Sequence, residues 1–246
     1  MINTKRGLLL AAALTVVVAL LILFPARVAY QLAAPSQLAV GGIHGTVWRG
    51  RADVVAANGV YLRDVTWGIK PLHLLVGKAA YRVQGSPVSG FVEGTVALSL
   101  FGYLTVSDLA ASLPLHMFAE SFNVRGLQGD ATLQFERIQL RDGLPVAANG
   151  TVQVNNLVAP RLSRESIGGY RAEFSTQNDG VTASVEDVDA VIDLAGSLQI
   201  KGDRSYRFLG QVIAKPATPA SLRKQLQYLG SANERGQREL RVEGSL

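Results

Sequence analysis

The chain has 246 residues, 24 of them Lys or Arg against 19 Asp or Glu, for a formal net charge of +5, with no cysteine and 48% hydrophobic residues. Setting aside Lys5 and Arg6 leaves 22 basic against 19 acidic residues, scattered singly, which argues against a basic stripe with aromatic platforms and so against nucleic acid as a partner. Lack of cysteine excludes disulfides, thiol catalysis and Cys-based zinc sites.

The first element is Gly7 to Phe24, eighteen residues in which Thr15 alone carries a hydrogen-bonding side chain. As a helix it would be about 27 Å long, close to the roughly 30 Å hydrocarbon thickness of a bilayer. Lys5 and Arg6 precede it and only Arg27 stands close behind, which predicts a cytoplasmic amino terminus and a periplasmic remainder. A secretory signal peptide is the rival reading, but its apolar region is usually about 7–15 residues and ends at a small-x-small site. Neither Phe24-Pro25-Ala26-Arg27 nor Tyr30-Gln31-Leu32-Ala33 supplies one cleanly. The predicted organisation is a tail (1–6), a transmembrane helix (7–24) stopped by Pro25, a connector (25–40) and a periplasmic β domain (41–246).

From Gly41 onward, glycines open short runs of alternating apolar and polar residues, the period of half-buried strands. Gly77 to Val83 places Ala79, Tyr81 and Val83 on one face; Gly94 to Leu100 does the same with Val96, Leu98 and Leu100. Gly129 to Glu136 is the clearest run, with Ala131, Leu133 and Phe135 facing a core. Its phase flips at Arg137, since Ile138 and Leu140 continue one position out of step, which predicts a bulge or strand end there. Similar runs start at Gly150, Gly180 and Gly196, and Leu240 and Val242 close the series before Gly244. Asn58-Gly59, Asp142-Gly143, Asn149-Gly150 and Asp179-Gly180 read as tight turns. The fold class is therefore mainly β: ten or more antiparallel strands in an elongated, twisted sheet, a folded-over sheet, a half-barrel or an ordinary sandwich. Irregular spacing speaks against a solenoid. One turn of helix is expected at Leu115–Ser121, and one short C-terminal helix at Thr218–Gly230, with Thr218 as cap, Pro219 in the first helical position, Leu222, Leu226 and Leu229 at helical spacing and Gly230 as terminator.

Chemistry is scarce. His44, His73 and His116 are far apart, without metal-ligand spacing, and read as exposed or hydrogen-bonded loop residues. The acidic cluster Glu186, Asp187, Asp189 and Asp193 lacks the glycine-containing loop of a calcium site and reads as a solvated strand face. No nucleophile elbow or phosphate loop occurs, and Gly126-Leu127-Gln128-Gly129 reads as turn chemistry, so neither an enzyme nor a cofactor site is expected. Trp48 and Trp67 are each followed by a glycine, Gly50 and Gly68, and a ring followed by glycine usually packs over a backbone that must come close.

Taken in order, the apolar span with Phe24-Pro25-Ala26-Arg27, then Trp48, Gly50 and Ala52, then Trp67, Pro71 and Gly77, and near the end Pro216, Pro219, Leu229, Gly230 and Gly244, form a pattern that resembles the N-protein family of the bacterial type II secretion system. The likeness spans nearly the whole chain, with few diagnostic residues between about 102 and 193. It implies an inner-membrane, single-span accessory component without catalytic residues, whose partners are other secretion subunits and the bilayer. Two functions are carried forward. One is an interaction protein working through exposed strand edges. The other is a lipid-binding module resembling AsmA-type or lipopolysaccharide-export proteins, with lipid as ligand. The discriminator is the second strand face: water-facing Ala97, Gln134 and Gln153 favour the first, and an open apolar trough the second.

Overall fold

The computed structural model describes residues 4–33, 38–57, 60–87, 89–99, 101–119, 124–177 and 180–245. Two helices lead the chain: α1 (Thr4–Ile22) and α2 (Ala26–Ala33). Among the described residues no helix is long and apolar enough to cross a membrane, the side chains at 4–7, 9 and 10 of α1 lying outside that set. Pro25 ends one helix and starts the next, its carbonyl accepting the amides of Val28 and Ala29 at 3.2 Å. Half of the stretch expected as a connector, Ala26–Ala33, is thus helical. Ala26, Tyr30 and Ala33 recur at helical spacing in it, and the first strand begins at Leu38 instead of Gly41.

Thirteen strands follow among the described residues: β1 (Leu38–Gly45), β2 (Arg49–Ala57), β3 (Val60–Ile69), β4 (Lys78–Ser86), β5 (Phe91–Ser99), β6 (Leu104–Pro114), β7 (Gln128–Arg141), β8 (Leu144–Val158), β9 (Gly168–Gln177), β10 (Gly180–Ala190), β11 (Ile192–Lys201), β12 (Ser205–Ala214) and β13 (Arg238–Ser245). They form one antiparallel meander in which every strand hydrogen-bonds its sequence neighbours, in the order β1 to β13. A sheet of that width, about 60 Å at about 4.8 Å per strand, does not stay flat. Register shifts supply the bending, at Arg63/Thr66, Glu93/Thr95, Phe135/Arg137 and Asp187/Asp189. Asp64 and Asp108 sit at two of them with φ of 49° and 52°, a conformation Asp tolerates better than most residues. The phase flip expected at Arg137 is the β7–β8 bulge.

The turn residues divide. Asp142-Gly143 joins β7 to β8 with φ of 51° and 79°, the positive pair that a type I′ hairpin requires. Asn149-Gly150 is not a turn but lies inside β8, because the β7 bulge brings the neighbouring backbone against it. A Cβ on Gly150 would stand 2.3 Å from the Gln134 carbonyl oxygen and 2.6 Å from Phe135 Cα. Asn58-Gly59 and Asp179 lie outside the described residues. The expected turn after Pro114 is a 3₁₀ piece, Leu115–Phe118. The C-terminal helix, α3 (Ala220–Leu226), continues as a 3₁₀ turn to Leu229 and ends at Gly230 with φ of 97°. Thr218 does not cap it. Pro219 occupies the cap position, and the Thr218 hydroxyl donates to the Val191 carbonyl at 2.5 Å, fastening the loop to the sheet.

Pairing gathers most of the larger apolar residues on one face and most of the charged residues on the other, with exceptions such as Ala80 and Ala97, which pair beside Arg82 and Thr95. The core lies along the apolar face in three clusters. Phe135, Ala148 and Val181 occupy the middle; Leu115, Leu127 and Ala131 lie under the β6–β7 connection; Ile167, Ile192, Val212 and Leu222 lie under α3. As expected, Leu222, Leu226 and Leu229 close one end of that core. The first five strands bury little: Ala52, Val65, Ala80, Thr95 and Ala97.

Candidate interaction surface

Several of the residues singled out in the sequence meet in the sheet. Trp67 lies directly opposite Gly50, and a Cβ on Gly50 would come within 2.4 Å of the ring. The ring's Nε1 donates to the Thr46 carbonyl at 3.2 Å. The glycine that admits this ring is therefore the cross-strand Gly50. Gly68, the next residue in sequence, would meet nothing within 4 Å. Tyr206 lies over Gly244 and Phe135 over Gly150 in the same way, each pair directly opposed in the ladder. Aromatic rings thus fill the space that glycines leave on the apolar face. Ala52, 1% exposed, packs in register between Ile43 and Val65. Trp48 turns the other way: its Nε1 donates to the Leu21 carbonyl of α1 at 2.7 Å, and its carbonyl accepts the Ile69 amide. Val47 N to Phe24 O and the Pro25–Thr46 bridge complete a seam between the leading helices and the sheet. Pro71 opens and Gly77, at φ 68°, closes a 3₁₀ turn between β3 and β4. The Pro216 carbonyl accepts from Arg223, and Pro219 precedes α3.

Two polar expectations are corrected. Asp187 is not on a solvated face: alternation along β10 puts it on the same side as Val181, Ala183 and Val185, just before the bulge, and its carboxylate accepts from Lys215 Nζ at 2.5 Å and from the Leu194 amide at 3.0 Å. Burial opposes its ionisation, but these donors outweigh burial and hold its pKa below the usual carboxylate range. The facing Tyr170 is pushed up to about 12, by burial first and by the Asp187 charge second. His73, expected exposed or hydrogen-bonded, has its Nδ1 enclosed without a hydrogen-bond partner in the 3₁₀ turn packed on β4, whereas His44 and His116 are exposed. The polar face carries an open cleft of about 690 Å³ lined by Asp108, Glu136 and Glu173 among others. Among the described residues no His, Cys, Asp and Glu group is placed to hold a metal ion.

The sheet presents larger features that single residues did not reveal. The whole chain, leading helices included, has an accessible surface of 16121 Å², against about 10,600 Å² for a compact protein of 26.2 kDa. Much of the apolar face is only half-buried, including Val96, Leu133, Val152, Phe174 and Leu198, and Leu98 reaches 56% exposure. On the polar face Gln134 is exposed, Gln153 is half-buried in a hydrogen bond from Arg171, and Ala97 is buried. The two edges differ. Along β1, α2 is packed so that the Tyr30 hydroxyl donates to the Leu38 carbonyl at 2.8 Å and accepts the Val40 amide at 3.1 Å. Strand β13 pairs with β12 on one side, and among the described residues no strand covers the other.

Comparison with known proteins gives a consistent result. The family model for type II secretion system (T2SS) protein N matches residues 36–241. The protein called type II secretion system protein N in Vibrio cholerae serotype O1 (strain ATCC 39315 / El Tor Inaba N16961) is 26% identical over 231 residues, covering 90% of this chain and 91% of its own. Its namesake in Pectobacterium carotovorum subsp. carotovorum is 24% identical over 226 residues, 90% of either chain. No solved structure matches the chain.

Proposed function

The chain belongs to the type II secretion system protein N family, and from that premise we propose that it is a non-catalytic accessory component of the secretion machine, held in the inner membrane by residues 7–24 with its β domain in the periplasm. It works by contact with other secretion subunits along the outer edge of β13. The observation that carries this reading is the asymmetry of the edges: the Tyr30 hydroxyl occupies hydrogen-bonding groups of β1, while β13 offers a strand-length row of backbone groups for strand addition. Photo-crosslinkers at Glu239 on β13 and at Ala39 on β1 test it in cells expressing the system. Adducts with a secretion subunit from Glu239 and none from Ala39 are expected; no adduct from any β13 position refutes it.

A second reading has its own support. The half-buried apolar face, with Leu98 56%, Val242 43% and Val54 39% exposed, is an elongated surface of the kind that shields acyl chains. Lipid extraction and mass analysis of the purified chain decides between the two. Stoichiometric phospholipid that survives detergent exchange supports lipid handling, and its absence leaves the contact reading.

A further inference from the structure

The β turns alternate between the two ends of the sheet, so the β1–β2, β3–β4 and β5–β6 tips share one end, the end where Trp48 and Val47 bond to the last turn of α1 and to Phe24. At that end the chain exposes large apolar side chains in consecutive tips. In the 3₁₀ turn between β3 and β4, Leu72 is 76%, Leu75 84% and Val76 68% exposed; in the β5–β6 tip, Phe101 is 84% exposed. Continuing across the sheet, the described tips at the same end turn polar: Asp142-Gly143, then Gly202, Asp203 and Arg204, all exposed. The apolar tips therefore form one row next to α1, about 19 Å long at about 4.8 Å per strand. Behind them stand the groups that favour a membrane–water boundary: exposed Lys78, and Tyr103 with the Arg141 guanidinium 5.4 Å from its ring centre and donating to its hydroxyl at 3.2 Å.

We infer that this row is a second membrane contact: the β3–β4 and β5–β6 tips dip into the outer leaflet beside α1 and hold the sheet upright on the bilayer, its first strands nearest the lipid. The occupant is the bilayer surface, because the row adjoins the apolar helix and is bonded to its end through Trp48, whose carbonyl also holds β3 at Ile69. The inference rests on the anchoring proposed above.

The chain has no cysteine, so single cysteines can carry an environment-sensitive fluorophore in the full-length protein reconstituted into phosphatidylethanolamine–phosphatidylglycerol vesicles. Leu75→Cys and Phe101→Cys probe the row and Leu14→Cys the anchor. Gly202→Cys is the reference tip, where a side chain meets nothing within 4 Å. Blue-shifted emission and loss of fluorescence to spin-labelled lipid are expected at 14, 75 and 101 but not at 202. Quenching at 14 without quenching at 75 and 101 overturns the inference and leaves the anchor standing. No quenching at 14 overturns the anchor and this inference with it. A blue shift at 75 and 101 without lipid quenching assigns the row to a protein contact, which also overturns it.

Discussion

Gly50→Ala tests whether aromatic rings packed over glycines hold the apolar face together. Gly50 lies in β2 opposite Trp67. An added Cβ would stand 2.4 Å from Trp67 Cζ2, 2.9 Å from its Cε2 and 2.5 Å from the His44 carbonyl oxygen. Neither obstacle yields freely: the carbonyl belongs to the β1–β2 ladder, and the ring is fixed by its Nε1 bond to Thr46. Overpacking of this kind costs about 1–3 kcal/mol, and displacing the indole forfeits a further ~1 kcal/mol of hydrogen bonding. The sum, about 2–4 kcal/mol, lowers the melting temperature by about 4–16 °C at about 2–4 °C per kcal/mol for a chain of this size. Gly68→Ala is the matched control one strand away. It would meet nothing within 4 Å and needs no positive φ, so restricting the unfolded chain should stabilise by up to about 1 kcal/mol. Thermal melts of the full chain, followed by tryptophan fluorescence, separate the two. In a Trp67→Leu background the cost of Gly50→Ala should shrink without vanishing, since the His44 carbonyl remains. Equal melting of the Gly50 and Gly68 variants would refute the reasoning.

Other expectations follow from named contacts. Asp187→Asn removes the partner of the half-buried Lys215 and should cost about 1–3 kcal/mol near neutral pH. Because the folded pKa of Asp187 is depressed, its contribution is complete above the ordinary carboxylate value and is lost as pH falls through the folded one. The gap in denaturant midpoint between the variant and the parent should therefore close in acid. Tyr170 carries the opposite sign. With its pKa raised to about 12, its contribution is full below the ordinary tyrosine pKa of about 10 and is lost as pH rises from there towards 12, so Tyr170→Phe should flatten the alkaline loss of stability. Tyr30→Phe takes the hydroxyl from the β1 edge and costs about 0.5–1.5 kcal/mol, with faster exchange at the Val40 amide as its local signature; unchanged exchange there would mean that Tyr30 does not cover the edge.

How much of this could be read from residues alone depends on whether the cause is local. The alternation at Ala131, Leu133 and Phe135, the flip at Arg137 and the Asp142-Gly143 hairpin all appear in the structure, because each is written in consecutive residues. Asn149-Gly150 misleads because the same dipeptide serves a hairpin or a strand pressed by its neighbour, and only the register with Phe135 decides. Trp67 shows the same limit, since the glycine that admits its ring is seventeen positions away and not adjacent. Thr218 has a cap's chemistry and a helix beside it, yet the nearer acceptor is Val191 in another strand connection. The unlike edges were hidden for this reason as well: Tyr30 closes β1 only because α2 folds back along it.

The distribution of buried side chains carries the argument one step further. In a meander each strand is stabilised by its two neighbours and by the apolar surface it covers, so stability varies along the sheet with the size of the buried residues. From β6 onward these include Leu113, Phe135, Val181, Ile192 and Val212; in β1 to β5 they are Ala52, Val65, Ala80, Thr95 and Ala97. Burying a large apolar side chain contributes about 1.5–3 kcal/mol, and an alanine methyl much less. The first five strands should therefore open more readily, and hydrogen exchange of the full chain should show lower protection across residues 38–99 than across 128–201. Uniform protection would mean that the ladder, not side-chain burial, sets local stability. If the difference is found, the Trp48–Leu21 seam supplies to the thin end of the sheet what its core does not, and Trp48→Phe should lower protection in β2 and β3 while leaving β7 to β11 unchanged.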